Sequence, residues 1–173
     1  MRMQRRVLLS GVAAIMIATG VAYGAALTTP DPAFATAKSW LDGLKRKDTA
    51  AVLEATSLPF VHRSIGLKEK CERSTKTRDE LQRWAECLLT SKDLLLGELA
   101  AGDDVEIEQD LNPSPRKLKA FEKLQQGLPT GEWSGAYLNG DGVTFTLRFL
   151  IVKSPDGRRR VAAFLVKASF ETG

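Results

Sequence analysis

The sequence predicts an α+β fold, with helices first and an antiparallel sheet last. Apolar residues recur at helical spacing through residues 34–99. They alternate with polar ones in two long runs beyond residue 142, and Gly- and Pro-rich turn signals separate those runs. The chain of 173 residues, 43% hydrophobic and 27% charged, has the size and balance of one globular domain behind a short leader.

The leader is legible in the first thirty residues. Arg2, Arg5 and Arg6 form a positive start, and residues 7–30 carry no charge. Val7, Leu8, Leu9, Val12, Ile15, Met16, Ile17 and Val21 make the apolar centre of a signal peptide. Ala22 and Gly24 put small residues three and one before a cleavage point between Gly24 and Ala25, with a cut after Ala26 as the alternative. The expected organisation is a signal peptide over residues 1–24, a linker over 25–30 and one α+β domain over 31–173. An uncleaved anchor reaching to about residue 27 is the other reading, because an apolar stretch of this length spans a bilayer core. The positive start stays cytoplasmic in both cases, so the domain is periplasmic or secreted. The run Arg5-Arg6-Val7-Leu8-Leu9 resembles part of a twin-arginine export signal, and ordinary export signals also begin this way.

The elements follow in order. Asp31-Pro32 caps a helix whose inner face carries Phe34, Ala37, Leu41 and Leu44 with Trp40 beside them. Lys45, Arg46 and Lys47 close it, where cations suit the helix dipole. Asp48 caps a second, short helix with Val52 and Leu53. Leu58-Pro59-Phe60 starts an extended segment to about residue 65, and residues 66–76 are a charged loop. Thr77-x-x-Glu80 is a capping box for a helix with Leu81, Trp84, Ala85 and Leu88 inward. A further turn or two holds Leu94, Leu95, Leu96 and Leu99, and Gly102 ends the helical half. Val105, Ile107 and Leu111 suggest a half-buried strand, and Ser114-Pro115 caps a basic helix with Leu118, Phe121 and Leu124 inward. A meander finishes the chain. Its strands run over residues 133–139, over Val143, Phe145, Leu147, Phe149 and Ile151, and over Ala162, Phe164, Val166, Ala168 and Phe170. Ser154-Pro155-Asp156-Gly157 turns between the last two.

Cys71 and Cys87 are the only cysteines. An even count in an exported domain favours a disulfide, which would tie the charged loop to the third helix. Two buried free thiols are the alternative. Without a Cys-x-x-Cys pair the two do not make a redox motif.

Charge excludes one class of function. Three of the 25 basic residues lie in the first 24 positions, which hold no acid, so the domain carries 22 basic against 21 acidic residues, a net charge of about +1. No nucleic-acid partner is expected. One histidine and two separated cysteines are too few for a zinc site, and Asp103-Asp104 has the look of a turn rather than a calcium loop, so neither a metal nor a cofactor is expected. There is no Gly-x-Ser-x-Gly elbow, phosphate-binding loop or dinucleotide fingerprint. Arg158-Arg159-Arg160 leaves a hairpin tip; it can meet lipid headgroups or an acidic partner, or simply be a solvated turn.

The order of elements, with Trp40-Leu41-x-x-Leu44-x-x-x-Asp48 followed by Thr56-Ser57-Leu58-Pro59-Phe60, resembles the nuclear transport factor 2-like superfamily of cone-shaped α+β domains. The resemblance covers about residues 31–170 and is nearest to small secreted bacterial members. It implies a curved antiparallel sheet with the helices walling a pocket on its concave side. Trp40, Phe60, His62, Trp84, Trp133 and Tyr137 are then the candidate pocket residues. Ketosteroid isomerase-like members use a strand aspartate as base. Here the late strands contain no aspartate, and His62, the only histidine, is the one weak candidate for a general base. The leading expectation is a non-catalytic domain binding a small apolar ligand or an envelope protein. The alternatives are an isomerase, cyclase or dehydratase acting through His62, and an accessory module that pairs as a homodimer through its sheet. The membrane enters only through the signal or anchor.

Overall fold

The computed structural model describes residues 31–67, 70–71, 73–90, 95, 97, 107–111, 128–140 and 142–170. The leader, its cleavage point, Gly102 and the basic helix expected at 115–124 lie outside them.

Capping sets the helices. Asp31 accepts from the Ala33 N–H at 3.0 Å and Pro32 takes the first helical position, so α1 runs Pro32–Lys45. Ala33, Ala37, Trp40, Leu41 and Leu44 form its buried face. Lys47 turns the chain with a positive φ of 56°, and Asp48 accepts from Ala51 N–H at 3.0 Å to start α2, Thr49–Glu54. The capping box forms as its residues predict: Thr77 Oγ1 accepts from the Glu80 N–H at 3.3 Å, and Glu80 accepts in return from the Thr77 N–H at 3.2 Å. Behind it α3 spans Arg78–Thr90 and buries Leu81, Trp84, Ala85 and Leu88.

The strands are β1 (Thr56–Ile65), β2 (Arg73–Thr75), β3 (Ile107–Gln109), β4 (Glu132–Gly140), β5 (Val143–Lys153) and β6 (Arg159–Phe170). They form one sheet in the order β2-β1-β6-β5-β4-β3. The meander at the chain's end is antiparallel, as expected. β1 lies parallel to β6, with His62 opposite Phe164, so the sheet is mixed. The long connection from β1 to β6, which includes α3, gives the crossover that a parallel pairing needs. Part of the expected charged loop is strand: residues 73–75 pair with residues 60–62. Leu111 is exposed beyond the end of β3 and adds nothing to the core.

The helices pack on one face, against Phe145, Leu147, Phe149, Phe164 and Val166. The opposite face is partly apolar and covered. Leu150, Ala163 and Leu165 are buried there, and Leu128, Trp133 and Val61 pack against Leu150 and Ala163. A shift of register falls between Leu150 and Ile151, whose partners are Ala163 and Val161, so Ala162 is the extra residue and β6 is the strand that changes its alternation. Gly131 precedes β4 where a Cβ would lie 2.4 Å from the Ile151 carbonyl oxygen, so the close crossing admits no side chain.

Candidate functional site

The helix-facing side of the sheet collects four of the sequence-predicted pocket residues. Trp40 arrives from α1, Phe60 and His62 from alternate positions of β1, and Trp84 from α3. All four are buried. They pack on one another and on the sheet: ring centroids are 4.6 Å apart for Phe60 and Trp84, 4.9 Å for Trp40 and Phe164, and 6.0 Å for Trp40 and Trp84. Phe149 stacks on Phe164 at 5.2 Å. These described side chains pack on one another in aromatic contacts between helices and sheet.

Both indole N–H groups of the cluster are held. The Trp40 indole N–H donates to Thr56 Oγ1 at 2.9 Å, and that hydroxyl donates to the Val52 carbonyl at 2.6 Å. The Trp84 indole N–H donates to His62 Nδ1 at 3.2 Å. An indole is a donor only, so Nδ1 is the acceptor and the neutral ring carries its proton on Nε2. The imidazole stacks on Phe164 at 5.2 Å and is 0% exposed. A general base must come within hydrogen-bond reach of the proton it takes. His62 instead has its Nδ1 engaged by Trp84 inside an aromatic core.

Trp133 and Tyr137 are on the other face of the sheet. Strand alternation separates them: Ala136 and Leu138 of β4 belong to the core beneath the helices, and Tyr137 between them points away. His62 and Tyr137 therefore lie on opposite faces of the sheet. Tyr137 belongs to a different constellation. Its hydroxyl donates to Asp110 Oδ2 at 2.9 Å, Arg148 Nη2 meets the same oxygen at 2.5 Å, and the Arg148 guanidinium lies 5.7 Å from the Tyr137 ring centroid. Arg148 Nη1 also donates to the Leu147 carbonyl at 2.8 Å. Gly135, opposite Arg148 in the ladder and bonded through its carbonyl to Asp110 N–H, has no side chain between the two charges. Arg148 is 3% and Asp110 11% exposed at the side chain, so this is a buried ion pair. Sequence reasoning overlooked Arg148 and Asp110. The available signal was an arginine inside an otherwise apolar alternating strand, at a position of the face away from the helices.

The remaining features are structural. Cys71 and Cys87 form the expected disulfide, which joins the segment before β2 to α3. The three hairpin arginines are matched by acids: Arg158 with Glu54 at 2.6 Å, Arg159 with Glu132 at 3.7 Å and Arg160 with Asp156 at 2.5 Å. The Arg158 N–H donates to the Asp156 carboxyl and holds it below its ordinary range. Backbone N–H groups of Lys76 and Thr77 do the same for Glu80. Among the described residues no three His, Cys, Asp or Glu side chains gather as a metal site, and no helix is long and apolar enough to cross a membrane.

No family model matches the sequence, and no curated protein matches it. Solved structures do. A ketosteroid isomerase-like protein from Erwinia carotovora atroseptica superposes with a TM-score of 0.50 at 17% identity, covering 81% of this chain and 95% of that one. A cystatin-like fold protein from Burkholderia xenovorans has a TM-score of 0.50 at 10% identity, covering 82% and 92%. The chain has this cystatin-like α+β fold.

Proposed function

We propose that this protein is an exported, non-catalytic binding domain that works through its surface against a partner in the cell envelope. The observation that carries the reading is the packing between helices and sheet. Trp40, Phe60, His62 and Trp84 are buried there against Phe149 and Phe164, in the region that a ligand-binding member of this fold would keep open. The enzymatic alternative needs His62 at a substrate, and its full burial against Trp84 and Phe164 weighs against that. Export is supported by the leader composition and agrees with the Cys71–Cys87 disulfide, a bond typical of oxidising compartments. An exported partner, rather than nucleic acid, fits the near-neutral domain.

Mass spectrometry of the protein purified from an envelope fraction tests this. The expected result is a chain beginning at Ala25, two hydrogens lighter than its reduced form, with no small molecule released on denaturation. An apolar molecule released in stoichiometric amount would overturn the filled-core reading. A chain retained with its leader in the cytoplasm would overturn export.

A further inference from the structure

A groove of about 420 Å³ lies where the end of α2, the start of β1, the start of α3 and the β5–β6 turn meet, with Glu54, Ser57, Leu58, Arg78, Ser154 and Arg160 among its walls. The last carbonyls of a helix lack partners within the helix. Here α2 uses them to fix two guanidinium groups. Arg78 Nη1 donates to the Leu53 carbonyl at 2.7 Å, and Arg160 Nε to the Glu54 carbonyl at 3.1 Å. The acids nearby are engaged elsewhere, Glu54 with Arg158 and Asp156 with Arg160. Arg78 is thus a positioned guanidinium with no carboxylate partner among the described residues. Ser154 lies on the same groove. It is only 9% exposed, and the β5–β6 turn fixes its backbone, its N–H donating to the Arg158 carbonyl at 2.8 Å and its carbonyl accepting from the Gly157 N–H at 2.8 Å. Leu58 adds an exposed apolar side chain on the same groove.

We propose that this groove binds a carboxylate carried beside an apolar side chain, as at the free C-terminus of a peptide or in a small N-acylated amino acid. The carboxylate takes the remaining N–H groups of Arg78 and the Ser154 hydroxyl, in the charge-assisted geometry that favours Arg over Lys, and the apolar side chain lies on Leu58. The proposal goes beyond the partner-binding reading and is independent of the aromatic core: a ligand released from that core would leave the groove as it is.

The test is titration of the full processed protein, followed by NMR or calorimetry, with N-acetyl-Ala-Ala-Leu as the free acid, the same peptide as its amide, N-acetyl-leucine and inorganic phosphate. The acid is expected to bind at least tenfold more tightly than the amide, and Ser154→Ala and Arg78→Gln each to weaken it severalfold. Tighter binding of the peptide acid than of N-acetyl-leucine assigns a peptide end, and equal binding assigns a small acid. Near-UV circular dichroism confirms folding of both variants, and Ser154→Ala carries the test if Arg78→Gln unfolds. Equal binding of acid and amide, no binding of the acid by folded wild-type protein, or phosphate binding as tightly as the acid would each overturn the proposal.

Discussion

Trp84 and His62, both fully buried, are tied by a hydrogen bond. Trp84→Phe removes the donor and leaves a buried Nδ1 acceptor unsatisfied. The expected cost is about 1–3 kcal/mol for the orphaned acceptor, plus a small packing loss, read as a lower denaturation midpoint. The Arg148–Asp110–Tyr137 constellation makes a sharper prediction. Taking one partner from a buried ion pair leaves an uncompensated charge, so Asp110→Ala is expected to destabilise by about 3–5 kcal/mol, and Tyr137→Phe by only about 1 kcal/mol. Denaturant unfolding of the two variants checks the ranking; equal effects would show that the ion pair is screened by solvent. Asp156 predicts a pH dependence. Its carboxyl is held below the ordinary 3.8 by the Arg158 N–H and then by the Arg160 and Arg158 charges. A lowered folded-state pKa means stabilisation that is fully present above the unfolded value and is lost as pH falls through the folded one. The stability gap between wild type and Asp156→Asn is therefore expected to be constant near neutrality and to close below about pH 4. A gap that widened in acid would contradict it.

At the scale of elements, local chemistry did most of the specifying. The Asp31, Asp48 and Thr77 caps, the helical apolar faces and the Ser154–Gly157 turn each follow from a few neighbouring residues, and each is found where the sequence puts it. The disulfide acts between elements. Cys71 and Cys87 are 16 residues apart, and loss of the bridge is expected to destabilise by about 3 kcal/mol through the freedom it returns to the unfolded chain. Comparing oxidised protein with a Cys71→Ser, Cys87→Ser double variant measures this, and an unchanged midpoint would mean that the segment before β2 is anchored by other contacts. What the elements do not disclose is pairing. β2 is three residues long, in a stretch with no alternation to detect, and forms because β1 offers it an edge. The parallel pairing of β1 with β6 joins residues a hundred positions apart, and nothing local to either strand states it.

The whole molecule decides what its surfaces can do. A homodimer formed face to face through the sheet would need a bare outer face, and Leu150, Ala163 and Leu165 are already buried there within one chain. The protein is accordingly expected to sediment as a monomer at micromolar concentration. A concentration-dependent dimer would instead direct attention to the strand edges, where β2 and β3 are both short.

The sequence by itself determined the α+β class, the capped helices, the late antiparallel hairpins and the cysteine pair, because each rests on spacing, caps or composition that neighbouring residues define. The same alternation that revealed the strands could not say which face would be covered, since a period of two is equally compatible with water or protein on its second side. Only the tertiary structure decided that Trp40, Phe60, His62 and Trp84 are core beneath the helices while Trp133 and Tyr137 lie across the sheet. It also decided that Arg148 is paired with Asp110, and that Arg78, Ser154 and Leu58, remote in the chain, share one groove. Those relations depend on sheet order and register, which contacts far apart in sequence set together and no local pattern encodes.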